Sequence, residues 1–79
     1  MKTIKELRID RNLAQIEAAK LLNITKEYLC MIEKGKRNPS DALKEKFSEI
    51  YRVPVTDVFL SIKETKRYVN GFEDGQKTS

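Results

Sequence analysis

Glu27, Met31 and Lys34 share one side of a helical wheel begun at Lys26, and together with Lys26 they carry the chemistries that read base-pair edges. A lysine ammonium donates to guanine acceptors, a glutamate accepts from the cytosine amino group, and a methionine lies against a thymine methyl. Cys30 falls on the same side. Leu29 and Ile32 take the opposite side with Tyr28 flanking them, so the face left for packing is narrow. A plain surface methionine is the alternative reading of Met31. Immediately after this segment, Gly35 can end a helix in the left-handed conformation, and Lys34, Lys36 and Arg37 place three cations within four residues. Cations there would neutralise backbone phosphates and hold a helix in register without reading sequence. A solvated basic loop is the alternative.

Those side chains need a helix held at a fixed angle. Helix-compatible residues run from Gln15 to Leu22 and stop at Asn23, which tolerates the left-handed turn that ends a helix. Ile24 can fold back onto the last turn, and the hydroxyl of Thr25 can accept from an unpaired N–H of a new helix over residues 26–33. One helix therefore stops and another starts within about three residues, the connection of a helix-turn-helix. Ala18 and Ala19 are small enough for the two helices to pack closely. An ordinary helical hairpin is the competing interpretation.

The flanking segments supply a core. Ile4 and Leu7 give the first helix an inward face. Ser40 can cap a fourth helix, Asp41 suits its positive end, and Leu43, Phe47, Ile50 and Tyr51 form its apolar stripe. Val53-Pro54 stops that helix, and Val55, Val58 and Phe59 predict a short fifth helix that covers it. Residues 61–68 can add another turn or two, and Ile62, Tyr68, Val69 and Phe72 are apolar. Asn70-Gly71 can form a tight turn, which allows a small hairpin or a dimer contact. From Glu73 onward nothing is suited to burial, which predicts a disordered tail.

Composition narrows the function. The 79 residues allow one domain. The first 40 hold nine cations and five anions and the rest seven of each, so the whole net charge of +4 lies in the half with the helix-turn-helix. That distribution favours a polyanion partner. There is no histidine, no glycine-rich phosphate loop and no set of cysteines for zinc, which argues against an enzyme, a metal site or a cofactor. The lone Cys30 implies a reducing, cytoplasmic setting and leaves open a thiol sensor at the DNA-facing side. Charges interrupt every apolar run near the N-terminus, so neither a signal peptide nor a membrane span is expected. A separate ligand-sensing domain is not expected within these 79 residues.

The spaced set Leu13, Gln15, Ala19, Leu22, Ile24, Thr25, Leu29, Ile32, Glu33, Gly35, Asn38-Pro39-Ser40, Val53 and Val58-Phe59 resembles the phage-repressor and Cro class of helix-turn-helix regulators, the xenobiotic-response-element family. The resemblance spans residues 4–60. It implies an all-α, five-helix lambda-repressor-like DNA-binding domain over residues 1–60, leaving a short C-terminal extension over 61–72 and a tail over 73–79. It further implies that Gln15 contacts a phosphate and braces the recognition helix, that Lys26, Glu27, Tyr28 and Met31 read bases, and that Arg8 pairs with Glu33 as scaffold. Thr25, Lys34, Lys36 and Arg37 complete the expected DNA-facing set. The chain departs from the family at Ala14, where a hydroxyl cap is usual and Asn12 could substitute from a shifted start. Ile16 and Met31 stand at positions that are often polar. The expected activity is that of a sequence-specific transcriptional regulator, a repressor binding double-stranded DNA as a homodimer. An antitoxin or antirepressor with a protein partner is the alternative, as is an interaction module that has lost DNA binding.

Overall fold

The computed structural model describes the backbone of residues 1–78 and the side chains of residues 1–67. Helices α1 (Ile4–Asp10), α2 (Gln15–Leu22), α3 (Lys26–Glu33), α4 (Asp41–Tyr51) and α5 (Val55–Thr78) follow one another, and the described residues contain no strand.

The helix starts are set by short-range hydrogen bonds. Thr3 Oγ1 accepts from Glu6 N at 3.2 Å while Glu6 Oε1 accepts from Thr3 N at 2.8 Å, a reciprocal box at the head of α1. Thr25 Oγ1 accepts from Tyr28 N at 3.0 Å and Ser40 Oγ from Leu43 N at 3.2 Å, as the sequence predicts. Helix α2 has only half of such a box: Ala14 offers no acceptor, but its N–H donates to Glu17 Oε1 at 2.8 Å. Asn12 does not cap α2. Its backbone is left-handed, with φ 56°, and it closes α1 instead.

One device ends four of the helices. Asn12, Asn23, Gly35 and Arg52 adopt φ of 56°, 60°, 75° and 57°. In each case the next N–H reaches back five residues: Leu13 to Arg8 O, Ile24 to Ala19 O, Lys36 to Met31 O and Val53 to Ser48 O, at 3.4, 3.0, 2.9 and 3.2 Å. Leu13, Ile24 and Val53 then pack on the core. After α3 the same position carries the exposed Lys36, so that turn presents a cation where the others present an apolar side chain. Arg52 is the bulkiest residue in this strained conformation, and Arg52→Gly is expected to raise stability by about 1 kcal/mol, read as a higher urea midpoint. A lower midpoint would mean that the arginine side chain contributes more than its backbone costs.

Ile4, Leu7, Ala18, Ala19, Leu22, Leu29, Ile32, Leu43, Phe47, Tyr51, Val58 and Ile62 form the core. The α4 stripe behaves as its spacing predicts, with the Phe47 and Tyr51 rings 5.3 Å apart and Ile50 half-buried. The fifth helix differs from expectation in length and in the face it buries. Val58 is fully buried, but Val55 and Phe59 are 37 % and 43 % exposed, and the Lys44 ammonium sits 4.4 Å from the Phe59 ring centre. Helical geometry explains this, because Val58, Ile62 and Thr65 lie on one face at 3.6 residues per turn while Phe59 lies to its flank. The core thus continues past residue 60. Thr65 Oγ1 accepts from Ile4 N at 2.9 Å and donates to Ser61 O at 2.8 Å, tying the start of α1 to α5. The α5 backbone passes through Asn70-Gly71 without the expected turn and stays helical through Thr78, over much of the stretch expected to be disordered. Tyr68, Val69 and Phe72, the apolar residues of the expected hairpin or dimer contact, have side chains outside the described residues.

Candidate nucleic-acid interface

Helix α3 packs against α2 and is tied to α1 through Glu33. Leu29 and Ile32 are fully buried, while Lys26, Glu27 and Met31 are exposed, so the surface singled out by the sequence is open. Tyr28 is half-buried at its edge. Cys30 is also half-buried, which departs from its expected place on the outer side and reduces the access of an oxidant to its thiol. Thr25, Lys34, Lys36 and Arg37 are exposed.

The angle of α3 is fixed through Glu33. Arg8 Nε donates to Glu33 Oε2 at 2.7 Å and Arg8 Nη2 to Oε1 at 3.2 Å, the two-pronged grip of a guanidinium on a carboxylate. Arg8 Nη1 donates to Leu13 O at 2.7 Å, and Gln15 Nε2 donates to Glu33 Oε1 at 3.0 Å. One carboxylate at the end of α3 is therefore held by α1 and by the first residue of α2. With side chains 9 % and 4 % exposed, Arg8 and Glu33 are little hydrated and have no access to spare for a ligand. The Gln15 bond ties the start of α2 to the end of α3, and its amide retains a second N–H.

Two supporting residues escaped the sequence reading. Arg11 Nε donates to Tyr51 O at 2.8 Å and Nη2 to Arg52 O at 3.3 Å, closing the carbonyl end of α4 from α1. Tyr51 is fully buried and its hydroxyl has no hydrogen-bond partner. Burial, reinforced by the Glu33 carboxylate and partly offset by Arg8, pushes its phenol well above the usual value. Below about pH 10 the phenol is protonated in both the folded and unfolded chain and adds no pH dependence. Above it only the unfolded chain releases the proton, so stability falls with rising pH by about 1.4 kcal/mol per unit. Tyr51→Phe is expected to leave neutral-pH stability unchanged or slightly raised, because the hydroxyl is orphaned, and to flatten this alkaline decline. Urea midpoints between pH 8 and about pH 11 test both statements. A loss above about 1 kcal/mol at pH 7 would show that the hydroxyl has a partner.

Among the described residues no three His, Cys, Asp or Glu side chains gather as a metal site. Among the described residues no helix is long and apolar enough to cross a membrane either.

Residues 4–58 match the helix-turn-helix family, a span from the start of α1 to the buried Val58. An uncharacterized HTH-type transcriptional regulator of Archaeoglobus fulgidus is 37 % identical over 57 residues, covering 72 % of this chain and 80 % of that protein. A second from Methanocaldococcus jannaschii is 35 % identical over 57 residues, covering 72 % of this chain and 86 % of its own length. The transcriptional repressor RstR of the cryptic phage CTXphi in Vibrio cholerae is 27 % identical over 84 residues, covering 96 % of this chain and 76 % of that protein. No solved structure gives a significant match. With the α2–turn–α3 unit, its Arg8–Glu33 brace and a family match over most of its length, the chain belongs to the xenobiotic-response-element-type helix-turn-helix family of DNA-binding regulators.

Proposed function

We propose that the protein is a sequence-specific transcriptional repressor that lays α3 in the major groove and binds a palindromic operator as a homodimer. The observation that carries this reading is the open Lys26, Glu27 and Met31 face on a helix whose far end is locked by a buried carboxylate. In this reading Lys26, Glu27, Tyr28 and Met31 contact bases, and Gln15, Thr25, Lys34, Lys36 and Arg37 hold the sugar-phosphate backbone. A single recognition helix reads only a few base pairs. Two copies on half-sites about 34 Å apart supply the discrimination that one lacks. The Vibrio relative's name as a repressor supports the direction of regulation.

Selection of bound duplexes from a random pool tests this. A palindromic consensus with half-sites one helical turn apart is expected. No enrichment, or a single unrepeated half-site, overturns the dimeric operator reading. A second reading, a protein partner of the antitoxin or antirepressor kind, is favoured by Ile16 and Leu21, both on α2 and both 53 % exposed. Ile16→Glu would abolish such a complex while leaving the selected duplex bound.

A further inference from the structure

A basin of about 710 Å³ opens between the start of α1, the end of α3 and α5, a size typical of small-molecule sites. Three lysines line it, Lys5 from α1 and Lys34 and Lys36 from the turn after α3, all exposed and none in an ion pair among the described residues. The carboxylates beside them are already engaged. Glu6 holds Thr3 N, Glu33 is gripped by Arg8 and Gln15, and Glu64 faces Arg67 at 3.6 Å. Glu6 keeps its charge, since the Thr3 amide is neutral, but with Glu33 and Glu64 facing arginines the three lysines leave the basin an excess of positive charge. Its apolar wall consists of Met1 and Ile9, 62 % and 50 % exposed, an area of hydrocarbon that the core does not use.

We propose that this basin binds a small organic anion, a carboxylate or phosphate carried on an apolar body, and that its occupancy weakens the hold on DNA. The anionic group draws on Lys5, Lys34 and Lys36 while the apolar body covers Met1 and Ile9. Lys34 and Lys36 are shared with the phosphate contacts proposed above, so ligand and duplex compete for the same two ammoniums. That second half rests on the proposed DNA-binding reading; the first half does not.

The test titrates the full chain, without DNA, with phenyl phosphate, benzoate and inorganic phosphate while following the backbone amides of Lys5, Ile9 and Thr65 by NMR. Saturable shifts with phenyl phosphate and benzoate are expected, with inorganic phosphate about tenfold weaker because it cannot use the apolar wall. Lys5→Gln is expected to weaken binding about threefold, and Ile9→Glu, an exposed position turned anionic, to abolish it without lowering the melting temperature. Absence of saturable shifts, or equal affinity for all three probes, overturns the site. On the selected duplex, phenyl phosphate is expected to lower affinity more than chloride at equal ionic strength, and Ile9→Glu to remove that difference. Saturable binding with no such difference overturns the competition while leaving the site. If no duplex is bound at all, the NMR arm still decides the site on its own.

Discussion

Arg8→Ala is expected to cost about 3–5 kcal/mol of folding stability, the largest effect of any single substitution considered for this chain. The reason is the state it leaves behind. Glu33, its side chain 4 % exposed, would be left at the end of α3 with only the Gln15 amide to answer it, and Leu13 O would lose a 2.7 Å donor. A domain of this size has roughly 5–10 kcal/mol in total, so the variant is expected to melt near or below ordinary assay temperatures. Its urea midpoint gives the number. The double replacement Arg8→Leu with Glu33→Met removes both charges and is expected to recover most of the loss, because the cost lies in the orphaned carboxylate more than in the missing attraction. A loss under about 1 kcal/mol for Arg8→Ala would show that Glu33 finds water once the guanidinium is gone, and that the brace is dispensable.

The second large effect concerns the division of labour on the DNA-facing surface. Lys26→Ala is expected to weaken binding to the preferred site by about 1–3 kcal/mol, and to relax preference at particular base pairs, as loss of a base contact does. Lys36→Ala is expected to weaken all duplexes alike and to lower the slope of log affinity against log salt by about 0.9, the release associated with one phosphate. Both residues are exposed, so neither substitution threatens the fold. Affinity for matched and single-mismatch duplexes across a salt series separates the two outcomes. If the two variants behave alike, the proposed separation between reading at the start of α3 and anchoring after it is wrong.

Much of the scaffold was written in signals that act within a turn or two. Thr25 and Ser40 cap the helices they precede, Asn23 and Gly35 turn left-handed where α2 and α3 stop, and the Leu43, Phe47 and Tyr51 spacing buries one face of α4. The Thr3 and Glu6 box is equally local, as is the half-box of Ala14 and Glu17. The Arg8–Glu33 pair was legible only through resemblance, since 25 residues separate its partners. The exposed set on α3 followed from the wheel, apart from Cys30, whose half-buried position depends on how closely neighbouring helices approach.

What the chain determined by itself is the sequence of starts, stops and apolar faces, because each depends on atoms within about five residues and on the fixed pitch of a helix. Tertiary structure decided the contacts between distant segments. Thr65 holding Ile4, Arg11 closing α4 and the Tyr51 hydroxyl stranded beside an ion pair join residues with no local signal to connect them. Such contacts depend on where whole helices come to rest after packing, a global balance of burial against hydrogen-bond satisfaction that no window of the sequence contains.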